Sequence, residues 1–192
     1  SILAEMGIES AKMAIENAGI TADEIDGIIL GTSHSARNYP AIAIEIQEAL
    51  GVNGYAYDML VGCSSTTFAI SNAFSDIASG LASTILVINP ELTSPGNDFR
   101  IRDSHFIFGD AAGALYLERS ETSRSTNTFF VKNIQLQTHF SNNIRNDGGF
   151  LRQVVNRTDP WHPRNLFSQH GRAVFKEIIP LVSEMILNQL EE

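Results

Sequence analysis

Three short apolar runs, Gly27-Ile28-Ile29-Leu30, Tyr55 to Leu60 and Thr84-Ile85-Leu86-Val87-Ile88, alternate along the chain with stretches of helical spacing. Runs this short and this rich in β-branched residues suit strands covered on both faces, since a strand with one wet face alternates polar and apolar residues. Ahead of the first run, Leu3, Met6, Ala14 and Ala18 lie at roughly helical spacing, and Gly19 supplies a stop signal before the acidic turn that ends at Asp26. Pro40 is placed to open a second helix through Leu50, closed by Gly51, and Ser64 to Ala82 reads as a helix rich in small residues. The order α-β-α-β-α-β predicts an α/β fold with a parallel sheet between helical layers.

The polar stretch Thr93 to Ser104 reads as a long loop, of a kind that carries function more often than average, or else as a surface insertion. Gly113 to Leu117 is a candidate strand, Ser120 to Thr126 has linker composition, and Phe129 to Gln137 is another candidate strand. His139 to Gln169 has no regular pattern. From Gly171, the residues Val174, Phe175, Ile178, Val182, Met185 and Ile186 predict a long helix that tolerates Pro180 or kinks there. The boundary between two parts is expected within the Ser120 to Thr126 connection, giving residues 1–120 and 121–192.

Composition narrows the function classes. With 13 Lys and Arg against 22 Asp and Glu, the net charge of −9 disfavours an extended nucleic-acid or anionic-membrane surface. No apolar run approaches the roughly 20 residues that span a bilayer, and the start Ser1-Ile2-Leu3-Ala4-Glu5 lacks the features of a signal peptide, so a cytoplasmic location is expected. The single cysteine cannot form an internal disulfide, and the five histidines do not fall at zinc-site spacing. No metal or resident cofactor is expected. The sequon Asn156-Arg157-Thr158 carries no weight without secretion.

Three local patterns hold the candidate chemistry: Tyr57-Asp58-Met59-Leu60-Val61-Gly62-Cys63-Ser64-Ser65, Phe108-Gly109-Asp110-Ala111-Ala112-Gly113-Ala114, and His170-Gly171-Arg172-Ala173-Val174-Phe175. The first puts a cysteine on a sharp strand-to-helix turn, where a helix dipole favours thiolate and free backbone N–H groups can receive an oxyanion. The competing reading of a lone cysteine in an apolar setting is an inert core residue.

In order and approximate spacing, the three patterns resemble β-ketoacyl-acyl-carrier-protein synthase III-like condensing enzymes of the thiolase superfamily. The resemblance implies a thiolase-like layered α-β-α fold, with most of a first half and the start of a second. It implies that Cys63 takes an acyl group from acyl-coenzyme A and passes it to the carbanion formed when malonyl-acyl-carrier protein loses carbon dioxide. Phe108 matches a phenylalanine beside that cysteine, Arg102 an arginine that contacts coenzyme A, and Gly171 and Phe175 a segment bordering the substrate tunnel. Tyr39-Pro40 matches a bulky residue and proline that reach the acyl pocket of a partner subunit, so a homodimer is implied.

Plainer readings stand beside these: turn chemistry for Asp110, a solvated loop charge for Arg102, and an aromatic at a helix start for Tyr39. Two departures are evident. Arg172 stands where a smaller polar residue is usual, and Ser64-Ser65-Thr66-Thr67 replaces a commoner Ala-Gly form, leaving the acyl preference open, with a medium-chain primer among the choices. The family's catalytic histidine and asparagine segments are not found around His34, His105, His139, His162 or His170, and are expected beyond Glu192. The alternatives are acyl transfer to another acceptor and a degenerate, non-catalytic interaction module.

Overall fold

The computed structural model describes residues 1–124, 128–146, 148, 162 and 165–191. They form two compact units, the first comprising Ser1–Leu92 and Asp110–Lys132, the second drawn from Thr93–Gly109 and Asn133–Glu192. The Asn156 sequon and part of the Ser120 to Thr126 connection lie outside the described residues.

The first unit runs α1 (Ile2–Ala18), β1 (Gly27–Gly31), α2 (Ile42–Leu50), β2 (Tyr55–Met59), α3 (Ser65–Ser79), β3 (Thr84–Glu91) and β4 (Ala111–Glu118). Its sheet has the order β2-β1-β3-β4. The three strands read from the apolar runs are parallel, with Ile28 opposite Ala56 and Leu86. β4 is antiparallel to β3, so the expected parallel sheet is in fact mixed. A strand reaches its neighbour antiparallel when no crossover helix intervenes, and between β3 and β4 there is no α-helix, only a three-residue 3₁₀ turn, Ser94–Gly96, and irregular chain.

Side-chain alternation divides the core into two layers. Ile28, Leu30, Leu86 and Ile88 face α1 and α2, where they meet Leu3, Ala4, Ala11, Ile42, Ala43 and Ile46. Ile29, Ile85 and Val87 point the other way, onto Ala69 and Ala73 of α3. The small residues at this i, i+4 spacing let α3 lie close to the sheet. The central strands are buried on both faces, as their unbroken apolar sequences require. Gly19 and Gly51 close α1 and α2 in the left-handed conformation, as their positions in the sequence predict.

Pro40 does not start α2. The helix begins at Ile42, its N-cap Ala41 supplies no side-chain cap, and the Tyr39-Pro40 bond is cis. The cap comes instead from Asp58 on β2, whose two carboxylate oxygens accept from the Ile42 and Ala43 N–H groups, each at 2.8 Å. A carboxylate on these orphan donors is favoured both as a hydrogen-bond acceptor and by the helix dipole. Asp58→Asn keeps the shape but loses the charge and one acceptor, so urea denaturation should show a loss of about 1–2 kcal/mol with an unchanged slope.

The second unit contains the pair β5 (Ile144–Arg145) and β6 (Ser168–Gln169) and the helix α4 (Gly171–Glu191). The pairing falls inside the segment whose sequence has no pattern, since strands of two residues are too short to show periodicity. α4 continues through Pro180 without interruption. Phe175, Ile186, Leu187 and Leu190 on it are exposed. The strand expected over Phe129 to Gln137 is absent: this segment has no ladder partner among the described residues, and Phe129 is 92% exposed. β-branched and aromatic composition favours a strand only where a neighbour and a covered face exist.

Candidate active site

β2 delivers the chain to the Cys63 turn. The ladder continues just past the strand, with the Thr32 N–H donating to Met59 O at 3.1 Å. Gly62 then adopts φ 57°, a left-handed value that a side chain would make costly, and Gly62–Ser64 form a 3₁₀ turn that leads into α3. Cys63 is a free thiol and exposed, so the inert-core reading does not describe it. Ser64, the N-cap of α3, makes no side-chain cap bond, which leaves the first N–H groups of the helix without a side-chain acceptor from that position. A thiol and such N–H groups at one turn are the parts needed for attack on a carbonyl and stabilisation of its oxyanion.

The floor beneath this turn comes from the carboxyl ends of β1 and β3, where open α/β sheets commonly place their sites. Asn89 Nδ2 donates to Gly31 O at 3.0 Å. The Ser33 N–H and hydroxyl each meet a Glu91 carboxylate oxygen at 2.6 Å, which ties the loop after β1 to the end of β3. The buried Ser65 hydroxyl accepts from the Val61 N–H at 3.0 Å and reaches the Gly62 and Thr32 carbonyls at 2.8 and 3.1 Å. In the sequence Ser65 stands out only as a departure from a family pattern, and Asn89 and Glu91 do not stand out at all. The legible signal for the last two was a pair of polar residues ending an apolar strand. Tyr39 is 84% exposed and Arg37, two residues before it, donates through Nε to Pro40 O at 2.9 Å.

The second unit holds the remaining candidates. Arg102, Asp103, His105, Phe106, Gly171 and Arg172 line an open cleft of about 470 Å³, so Arg102 and Gly171 share one surface. Arg100, two residues earlier, is occupied: its Nε and Nη2 donate to the Asp98 carboxylate at 2.8 and 2.7 Å. Those bonds hold the Asp98 carboxyl well below the usual range, at about 2. No ion pair engages Arg102 among the described residues. Phe108 is half-buried and packs edge-on against Phe167, with ring centroids 4.6 Å apart. Phe175 lies one turn into α4 and is 65% exposed.

Of the histidines, His34 lies 3.1 Å from the Ser33 hydroxyl, and His105 uses Nδ1 toward Ile101 O and stacks edge-on with Phe106. The described residues contain no group of three or more His, Cys, Asp or Glu placed to hold a metal ion. They also contain no helix long and apolar enough to cross a membrane.

A mixed sheet between α1/α2 and α3, with a cysteine on the turn from a sheet strand into the helix behind it, is the layered arrangement that a thiolase-like fold requires. The comparisons agree. Residues 57–133 match the family model for 3-oxoacyl-[acyl-carrier-protein (ACP)] synthase III. The β-ketodecanoyl-[acyl-carrier-protein] synthase of Pseudomonas aeruginosa is 47% identical over 190 residues, covering 97% of this chain and 53% of that protein. The crystal structure of 3-oxoacyl-[acyl-carrier-protein] synthase III from Aquifex aeolicus matches 62% of this chain and 39% of its own, at 36% identity and TM-score 0.60. The synthase III of P. aeruginosa PAO1 shares the fold over 98% of this chain and 55% of its own, at 22% identity and TM-score 0.78. The chain is therefore similar in sequence to the 3-oxoacyl-[acyl-carrier-protein] synthase III proteins and has their thiolase-like fold. It spans about half the length of the curated relatives it matches.

Proposed function

We propose that the whole protein is an acyl-transferring condensing enzyme in which Cys63 carries the acyl group. The observation that carries this reading is the exposed thiol on a turn between Gly62 and α3, inside the segment that matches the family model. The Cys63 thiolate attacks the carbonyl of an acyl-coenzyme A thioester, backbone N–H groups receive the developing oxyanion, and coenzyme A leaves as its thiolate. In the second half-reaction malonyl-acyl-carrier protein releases carbon dioxide. The resulting carbanion attacks the acyl carbonyl, and the Cys63 thiolate departs, leaving a β-ketoacyl-acyl-carrier protein.

Tyr39, Arg102, Phe108, Gly171 and Phe175 are the proposed substrate-binding residues. Residues 1–120 and 121–192 are proposed as parts of two successive thiolase-like halves, and the cytoplasm as the location. A homodimer is also proposed, supported by the exposure of Tyr39 and by β2, whose outer edge has no partner strand among the described residues. The relative at 47% identity is named for a β-ketodecanoyl product, ten carbons long. Two of those carbons would come from malonate, so an eight-carbon primer is proposed here. Intact mass analysis of the whole protein after exposure to acyl-coenzyme A of two to sixteen carbons tests both claims. The expected result is a single adduct, strongest near octanoyl; no adduct with any chain length overturns the reading.

Arg102 is proposed to meet a coenzyme A phosphate, and Arg100 is not, because Asp98 already holds it. A charge-assisted contact of this kind is worth about 1.5–3 kcal/mol, so Arg102→Ala should raise KM for acyl-coenzyme A roughly 10-fold or more. Arg100→Ala should leave KM within about twofold. Steady-state kinetics on the two variants decides between the binding role and a solvated loop charge.

A further inference from the structure

We propose that Ser65 is a positioning residue for Cys63, its buried hydroxyl clamping the turn that presents the thiol. The residue is 2% exposed and lies two positions after the cysteine, at the first position of α3. Its oxygen accepts from the Val61 N–H at 3.0 Å, on the chain entering the turn. The same hydroxyl stands 2.8 Å from Gly62 O, next to the cysteine, and 3.1 Å from Thr32 O, one residue past β1. A hydroxyl has one proton to give, so these carbonyls share it while the lone pairs serve Val61. One side chain thereby joins the strand end before Cys63, the left-handed residue beside it, the helix after it and the neighbouring strand.

The arrangement depends on this chain's own residue. The resemblance gives a small apolar residue followed by glycine after the cysteine, and glycine offers no atom to any of the three partners. A turn built from Gly62 at φ 57° and a single 3₁₀ turn has few bonds of its own; the Ser64 N–H to Val61 O contact is 3.3 Å. The clamp supplies what the local backbone lacks. An error of about 1 Å in the placement of a reacting group lowers rates by roughly 100-fold, so a side chain that fixes the turn acts on catalysis without touching substrate.

This inference rests on the acyl-transfer reading only for its catalytic consequence, and the experiment separates the two. In the whole protein, Ser65→Ala and Ser65→Gly are compared with the parent for octanoyl transfer from coenzyme A, with rates expressed per folded molecule as counted by circular dichroism, and Cys63 alkylation by iodoacetamide is followed by peptide mass analysis. The expected result is a fall of at least 10-fold in kcat with KM within twofold, while Cys63 alkylation at one fixed pH slows at least threefold. A merely structural residue would lower the folded fraction and leave the rate per folded molecule unchanged. Unchanged rates per folded molecule in either variant overturn the proposal.

If the parent itself forms no acyl adduct, the enzyme reading fails, and the alkylation rates alone decide the clamp: a threefold slowing supports it and equal rates overturn it. If neither variant folds, amide exchange in the unmodified protein decides. Protection of the Val61 N–H well above that of an exposed loop amide supports the clamp, and exchange at the loop rate overturns it.

Discussion

Cys63→Ala in the whole protein should leave no acyl adduct after incubation with octanoyl-coenzyme A, and condensation should fall on the order of 10³-fold or more. The expectation follows from the exposure of Cys63 at a helix start, on a turn that offers both a thiol and backbone N–H donors. Removing a nucleophile removes the covalent intermediate, whereas removing a binding residue weakens only an encounter. Cys63→Ser is the sharper control. It stays close in size and exchanges the thiol for a hydroxyl that is a far weaker nucleophile, so its folding and ligand binding should match the parent while adduct formation is lost. Intact mass analysis and product assay together check both variants. An adduct of equal yield in Cys63→Ala would place the acyl group on another residue and end the present assignment.

The second large effect is expected at Gly31, the last residue of β1. A Cβ built there would stand 2.6 Å from Asn89 Nδ2, 2.9 Å from Ser65 Cβ and 3.0 Å from the Ser65 backbone carbon. Asn89 can rotate away only by giving up its bond to Gly31 O, and the backbone of α3 has no such freedom. Gly31→Ala should therefore destabilise by about 1–3 kcal/mol, as overpacking of a close contact does, and urea denaturation measures it. Because the displaced element is the start of α3, acylation of Cys63 should fall about 10-fold even in the fraction that remains folded. A variant as stable and as fast as the parent would show that the sheet and helix yield more easily at this contact than their packing implies.

Asp58 and Ser65 explain why the site was only partly legible. Locally, Pro40 predicts a helix start because proline favours the first turn. The actual cap of α2 is a carboxylate 16 residues away on the next strand. Nothing local to residues 39–42 records that partner. Ser65 appeared only as a departure from a family pattern, since its three partners lie just past the end of β1 and on the turn itself. The strand expected over Phe129 to Gln137 failed for the converse reason: its composition was right, but a strand exists only where another backbone completes its hydrogen bonds.

The sequence by itself determined the three parallel strands, the helices between them and the strand-to-helix turn at Cys63. Those features follow from periodicity, glycine stops and short apolar runs, all of which act within a few residues. Tertiary structure alone decided that β4 runs antiparallel, that Asp58 caps α2, that Ser65 binds the Cys63 turn from beneath and that Arg102 shares a cleft with Gly171. Each of these is a meeting of groups distant in the chain. Local spacing carries no record of such meetings, because they are chosen by the packing of buried faces and by the need of every buried polar group for a partner.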